Sequence, residues 1–134
     1  HRDLHSFPTR RSSDLSAMIN ADAIKTSAGA LYKIPVVRAS NLKETIRFLH
    51  DSGLTLTAAT EKDGQTYTEA MFDQPLAIIL GSEGEGVSEE YLKLTDSRVR
   101  IPLMGEIGSL NVSVAAGILL FEVIRQRGIQ HSDI

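Results

Sequence analysis

Residues 101–128 read IPLMGEIGSLNVSVAAGILLFEVIRQRG, and this stretch carries most of the information in the chain. A strand ending at Pro102 is predicted to run into a loop, Gly105 to Ser109, that opens directly into a helix over Asn111 to Arg127. Small and β-branched residues fill the first turns of that helix, so a ligand or another backbone can approach closely. The backbone N–H groups at a helix start lack intrahelical partners and can bind such a ligand.

A second glycine-rich turn lies upstream, in LAIILGSEGEGVS, residues 76–88. Gly81, Gly84 and Gly86 follow an apolar strand and precede a short helix capped by Ser88. The turn lacks the Lys and Ser/Thr of a phosphate-binding loop and the glycine spacing of a dinucleotide site. By itself it is typical of an ordinary connection between a strand and a helix.

Together the two segments resemble the signature of the SpoU family of RNA ribose 2′-O-methyltransferases, within the SPOUT superfamily of trefoil-knotted S-adenosylmethionine (SAM) enzymes. The family pattern is a GxExxG turn after one strand, an Ile-Pro pair ending the next, and an S-L-N-V-S helix start. Here these elements are Gly81 with Glu83 and Gly86, Ile101 with Pro102, and Ser109 to Ser113. The segment KTSAGALYKIPV, residues 25–36, resembles the helix and strand that follow the family's first motif.

The resemblance implies a fold and a cofactor. The fold would be α/β, with a parallel sheet, helices on both faces and a deep C-terminal trefoil knot. SAM would bind in a bent shape, with its adenine in an apolar slot and held mainly by backbone groups. The positions that match the family's cofactor-binding residues are Gly81, Ile101 and Leu110, with Leu80, Leu103, Met104 and Ala115 nearby.

Glu83, Ser109 and Asn111 match the family's polar catalytic positions. Glu83 would orient the substrate ribose or hold the glycine turn, while Ser109 and Asn111 lie where Ser and Asn are also preferred as helix caps. The reaction would be an in-line attack of a ribose 2′-oxygen on the methyl group of the SAM sulfonium, aided by removal of the 2′-hydroxyl proton. The resemblance links proton removal to an arginine of the first motif.

The first fifteen residues, HRDLHSFPTRRSSDL, are expected to be non-native, because they match one reading frame of a common short-read sequencing adapter throughout. Residues 16–134 would then be a partial SPOUT methyltransferase domain, N-terminally truncated, with the adapter in place of the first motif. Neither Arg10 nor Arg11 substitutes for the arginine of that motif. The chain alone is therefore expected to be inactive, although the protein it comes from would be an enzyme.

Composition sets broader limits. A chain of 134 residues with 42% hydrophobic and 23% charged residues is predicted to form one domain. It contains no cysteine and no histidine with partners at metal-ligand spacing, so we expect a cytoplasmic protein without a metal. It also has no run of about twenty apolar residues, so we expect no membrane segment. The net charge is −3, and residues 1–15 carry three arginines and two aspartates, which leaves −4 for the rest. RNA binding by so acidic a chain needs a local patch, a second subunit or another domain.

The remaining apolar runs and turns alternate as a parallel α/β protein requires. Predicted helices cover Ala21 to Leu31, a segment capped by Asn41 with Glu44 in a capping box and ended by Gly53, and one capped by Ser88. Predicted strands cover Ile34 to Val37, Leu54 to Ala59, Leu76 to Leu80 (buried on both faces) and Arg98 to Ile101. Glu61 to Thr66 is predicted to be a polar turn, and Tyr67 to Asp73 an irregular connection with one helical turn.

The last helix also predicts a partner. One broad apolar face is formed at helical spacing by Val112, Ala115, Ala116, Leu119, Leu120 and Val123. Ile118, Phe121 and Ile124 extend the apolar surface beyond what one sheet face covers, so we expect a homodimer through this helix. A further N-terminal strand and helix covering the same face is the competing explanation.

The predicted substrate is RNA, and the segment at residues 25–36 favours guanosine in ribosomal RNA over transfer RNA. Two alternatives stay open. A catalytically inactive SPOUT module that binds RNA or dimerises would share the same C-terminal half. A different α/β enzyme could use the glycine turn for a nucleotide phosphate, but it needs a Lys or Arg after Gly86, where the chain has Val87 and Ser88.

Overall fold

The computed structural model describes residues 25, 28–29, 33–61, 63–82, 85–104 and 110–128, in two compact units, residues 1–39 and 40–134. In the first unit the Ala28 N–H donates to the Lys25 carbonyl at 3.0 Å, and residues 35–39 form no regular secondary structure. The strand predicted at Ile34 to Val37 is therefore wrong, because β-branched residues favour a strand only where a neighbouring strand supplies hydrogen bonds. Residues 1–15, and most of the helix predicted from Ala21 to Leu31, lie outside the described residues.

The second unit contains a four-stranded parallel sheet. Its elements are α1 (Leu42–Asp51), β1 (Thr55–Thr60), β2 (Gln65–Thr66), a 3₁₀ turn (Tyr67–Glu69), β3 (Leu76–Ile79), α2 (Glu89–Leu92), β4 (Ser97–Arg100) and α3 (Val112–Arg127). The strands lie in the order β2-β4-β1-β3, and every pair is parallel. The predicted α/β class with a parallel sheet is confirmed.

Local sequence signals set the ends of α1 as predicted. The side-chain oxygen of Asn41 accepts a hydrogen bond from the Glu44 N–H at 3.2 Å, which satisfies one of the unpaired donors at the helix start. Gly53 follows the helix with a φ of 99°, a conformation that favours glycine.

β1 is the strand buried on both faces. Leu56 and Ala58 are fully buried toward one face and Thr57 toward the other, since successive strand residues point in opposite directions. The apolar pattern of Leu76 to Leu80 predicts the same for β3, but β3 is the edge strand among the described strands, and all four of its residues are half-buried. That prediction is wrong because an apolar run does not reveal whether a strand is central or at an edge.

α3 packs against one face of the sheet through a narrow contact. Leu119 joins Ala70, Phe72 and Val99 in a buried cluster, with Val123 packed against it. Of the sixteen residues of α3, Leu119 and Glu122 are buried. The single broad apolar face predicted for this helix is thus wrong in part, since Val112 and Leu120 are exposed while a glutamate is buried. A helix that is apolar almost all round offers no periodic contrast from which to choose its buried face.

The start and the end of α3 agree with the sequence prediction. Asn111 caps the helix by accepting a hydrogen bond from the Ser113 N–H at 2.8 Å. Gly128 ends it in the left-handed conformation, with a φ of 66°. No helix among the described residues has the length and apolar character needed to cross a membrane.

Candidate cofactor site

A cleft of about 460 Å³ opens at the carboxyl ends of the strands. Its walls are the end of β1, the glycine turn after β3, the segment after β4 and the first turns of α3. Open parallel sheets bind ligands at this edge, because all strands end there and their loops converge. The volume suits a small-molecule site, for which about 300 to 1,000 Å³ is usual.

The structure brings six of the seven predicted cofactor-binding residues to this cleft, although they are far apart in sequence. These are Leu80, Gly81, Ile101, Leu103, Leu110 and Ala115. Met104 does not line the cleft, and it is 85% exposed. Asn111 lies between the lining residues Leu110 and Val112, as the exposed cap of α3. Glu83 and Ser109 lie outside the described residues.

The backbone at the end of the glycine turn, at Gly86 and Val87, packs directly against its first residue, Gly81. Ser82 and Gly86 form an antiparallel bridge, in which the Gly86 N–H donates to the Ser82 carbonyl at 2.9 Å. A Cβ atom placed on Gly81 would lie 1.9 Å from the carbonyl carbon of Gly86 and 2.3 Å from the Val87 nitrogen. The close backbone approach therefore requires glycine at position 81, and the turn is shaped as one wall of the cleft.

One wall of the cleft was not evident from the sequence. Glu61 and Asp63, in the loop after β1, also line it. Arg98 of β4 donates to the Asp63 carboxylate at 3.1 Å, and Arg100 donates to the Gly64 carbonyl at 3.3 Å. The two arginines thus fix a loop that the sequence predicts only as a polar turn. The sequence feature that could have indicated this contact is the pair of arginines at alternate positions of β4, Arg98 and Arg100.

The cleft has an acidic lining. Four described carboxylate residues line it, against one described cation, Arg98, which is already paired. The four are Glu61, Asp63, Glu85 and Glu89. A ligand with positive charge is favoured in such a setting, although exposed carboxylates act weakly through water. In the described part of the chain no cluster of three or more His, Asp or Glu is arranged to hold a metal ion.

These features define an α/β protein with a small-molecule cleft at the carboxyl edge of a parallel sheet. The family model of the SpoU rRNA Methylase family matches residues 10–121, so the chain belongs to that family. The resemblance seen in the two glycine-rich segments is thereby confirmed. The first six matched residues fall within the segment predicted to be non-native.

Individual relatives carry names consistent with the family. The 23S rRNA (guanosine-2'-O-)-methyltransferase RlmB of Yersinia pestis is 37% identical over 117 residues, which cover 87% of this chain and 48% of that protein. A crystal structure of an RNA 2'-O ribose methyltransferase matches with a TM-score of 0.73 and 37% identity, covering 79% of this chain and 41% of the other. The SpoU methyltransferase AviRb of Streptomyces viridochromogenes, crystallised in complex with AdoMet, matches with a TM-score of 0.74 and 29% identity, covering 81% and 45%. The chain spans about half the length of the curated relatives it matches.

Proposed function

We propose that the protein to which this chain belongs transfers a methyl group from SAM to the 2′-hydroxyl of an RNA ribose. The observation that carries the proposal is the meeting of Gly81, Ile101 and Leu110 in one cleft, since these three match the family's SAM-binding positions. The solved relative AviRb is crystallised with AdoMet, which supports the same cofactor here. The name of the Yersinia pestis relative supports guanosine in 23S rRNA as the substrate.

The described residues fit SAM by size and chemistry. Leu80, Ile101, Leu103 and Leu110 provide apolar contact for an adenine ring, and Gly81 lines the same cleft beside them. SAM also carries a sulfonium and an ammonium group, and the acidic lining favours both over a neutral ligand. When bound, SAM supplies the electrophilic methyl group of the reaction.

The protein's own residues would align and restrain the reactants. Asn111 accepts hydrogen bonds from both the backbone N–H and the hydroxyl of Ser113, so the group it retains for a substrate is its amide N–H donor. Glu83 would orient the ribose beside the glycine turn, and Ser109 would contact ligand at the mouth of α3. Removal of the 2′-hydroxyl proton is assigned to an arginine of the first motif. Inactivity of this chain alone remains a prediction.

Three further parts of the proposal come from the family. The C-terminal segment would be threaded as a deep trefoil knot, the substrate would be ribosomal rather than transfer RNA, and the setting would be the cytoplasm. Transfer of labelled methyl groups from SAM to ribosomal RNA by the full-length protein tests the activity. SAM binding without transfer to any RNA would instead identify a catalytically inactive module.

Replacing Leu110 by glutamate should weaken SAM binding by the full-length protein at least tenfold, because the change buries a charge in the adenine slot. Isothermal titration calorimetry measures the effect directly. Phe48→Glu places the same carboxylate on an exposed apolar position of α1, away from the cleft, and should leave the affinity unchanged. Undiminished binding in Leu110→Glu would refute the assignment of the cleft to SAM.

We also propose that α3 pairs two copies of the protein. Phe121 is 72% exposed and Leu120 55% exposed, and Val114 and Ile124 are exposed too, so one side of α3 is an uncovered apolar surface. A second copy would cover it by two-fold symmetry, which buries each residue twice. Burial of the Phe121 ring alone would contribute about 2 kcal/mol on each side.

The double change Phe121→Asp and Ile124→Asp should convert the dimer into a monomer at micromolar concentration. Four carboxylates would then face one another across the two-fold axis without partners. Analytical ultracentrifugation reports the state, and Phe48→Asp, the same kind of change on α1, is the matched control. A wild-type monomer, or a dimer that survives the double change, contradicts pairing through α3.

A further inference from the structure

The last turn of α3 is hydrogen-bonded to the segment that leads into β3. Gln126 donates from Nε2 to the Ala70 carbonyl at 2.7 Å, and its Oε1 accepts from the Phe72 N–H at 2.7 Å. Arg127 donates from Nε to the Phe72 carbonyl at 3.0 Å and from Nη2 to the Gln74 carbonyl at 2.7 Å. We call these four bonds the α3 clamp.

Glu122 fixes the orientation of the Gln126 amide within the α3 clamp. Its Oε2 accepts from Gln126 Nε2 at 2.8 Å, while Arg125 donates to both carboxylate oxygens at 2.9 and 2.8 Å. An ionised carboxylate accepts hydrogen bonds and cannot donate, so the amide nitrogen must face Glu122. The amide oxygen is then left for the Phe72 N–H, as observed.

Apolar packing alone restrains the direction of α3 poorly. Two of its sixteen residues are buried, and Leu119 is the apolar one. Hydrophobic contact is non-directional, so a helix held by Leu119 and the half-buried Val123 can still change its tilt. Hydrogen bonds depend on distance and angle, so the α3 clamp fixes the tilt that the packing leaves free.

The two partners of the α3 clamp lead to two different walls of the cleft. At its other end α3 contributes Val112 and Ala115 to the lining, and Leu110 just precedes it. The clamped segment, residues 70–74, continues through Pro75 into β3, after which Leu80 and Gly81 line the cleft. Sixteen helical residues span about 24 Å, so a small rotation at the clamped end becomes an ångström-scale shift at the other.

We propose that Gln126 is a positioning residue for the cofactor cleft, which ties α3 to the segment before β3 and thereby sets the distance between two cleft walls. Gln126 does not line the cleft and would act through α3. The proposal rests on the proposed function for the identity of the ligand, SAM, and on the described hydrogen bonds for everything else.

Gln126→Ala in the full-length protein tests the proposal. We expect its dissociation constant and KM for SAM to rise roughly fivefold to thirtyfold, with KM for RNA unchanged. Hydrogen exchange of the amides at residues 115–119, measured without ligand, should become faster. Gln74→Ala is the matched control, because this glutamine side chain lies in the same segment but donates to the Thr55 hydroxyl and not to α3. It should change neither the SAM affinity nor the exchange rates at residues 115–119. Ile46→Val, at the buried position of α1, lowers stability without touching the α3 clamp and should likewise leave SAM affinity unchanged.

Each outcome decides the matter. If Gln126→Ala does not fold, Arg127→Ala removes the other two bonds of the α3 clamp from an exposed position, with the same expectations. Unchanged SAM affinity in a folded clamp variant overturns the proposal, as does an equal loss in Ile46→Val. A wild-type protein that does not bind SAM refutes the proposed function instead, and the exchange rates at residues 115–119 then decide the role of the α3 clamp alone.

Discussion

Replacing Gly81 by alanine should lower the free energy of unfolding by about 3 kcal/mol and abolish SAM binding. The added Cβ would fall 1.9 Å from the Gly86 carbonyl carbon and 2.2 Å from its oxygen. Both are backbone atoms of a closed turn, so the clash cannot be relieved by rotating a side chain. The turn must open instead, and this displaces a wall of the cleft.

Gly117→Ala is the matched control for Gly81→Ala. Gly117 lies inside α3, and nothing lies within 4 Å of a Cβ built on it. Alanine in an open helical position should therefore stabilise a single copy of the protein by about 0.5 to 1 kcal/mol. Because Gly117 lies on the same side of α3 as Phe121 and Ile124, both glycine substitutions are compared in the monomeric Phe121→Asp, Ile124→Asp background. Urea denaturation gives both values and calorimetry gives SAM affinity. A Gly81→Ala protein of normal stability would show that the turn does not close over position 81.

Removing the Glu122 carboxylate should cost about 2 kcal/mol of stability, because the side chain makes charge-assisted hydrogen bonds at a buried position. Glu122→Ala takes away an acceptor of Arg125 and of Gln126 and loosens the α3 clamp. Glu69→Ala, an exposed glutamate on the 3₁₀ turn, should change stability by less than about 0.5 kcal/mol. Equal effects of the two substitutions would contradict a special role for Glu122.

The contribution of Glu122 should also depend on pH. Its hydrogen bond from Arg125 lowers its pKa from 4.5 to about 2, against an opposing effect of burial and with help from Gln126. A carboxyl whose pKa is lower in the folded state stabilises the protein above its unfolded pKa, and the contribution disappears as the pH falls through the folded value. Wild-type stability should therefore decline between about pH 5 and pH 2 more steeply than that of Glu122→Gln. Parallel curves would contradict the lowered pKa.

Local sequence signals predicted where helices begin and end, but they did not predict which strands pair or which strand lies at the edge. Asn41 and Gly53 placed the ends of α1, and Asn111 and Gly128 those of α3, because caps act through their nearest neighbours. β2 went unpredicted, since a two-residue strand exists only through its pairing with β4. The edge position of β3 depends on strand order, which its own residues do not encode.

The residues of the candidate site likewise fall into those that motifs in the sequence predicted and those that only the folded structure brings together. Gly81, Ile101 and Leu110 were predicted because they stand in motifs that resemble a known family, and they line one cleft of the structure. The wall formed by Glu61 and Asp63 has no such motif, and its arginine partners come from about 35 residues away along the chain. The burial of Glu122 was not predicted either. A buried carboxylate is stable here because Arg125 and Gln126 donate hydrogen bonds to it, and the sequence does not show which way those side chains turn.

The parallel sheet has a consequence for how the protein is made. β1 is buried on both faces, yet its pairing of Thr57 with Ser97 joins residues 40 positions apart. At about 5 to 20 residues per second, a ribosome needs several seconds to supply β4 after β1 has been synthesised. During that interval the most deeply buried strand of the folded sheet lacks its neighbour β4, and contacts of such large sequence separation form slowly even afterwards. The emerging polypeptide can therefore pair β1 with β3 on one side, while the other edge of β1 stays open to chaperones until β4 arrives.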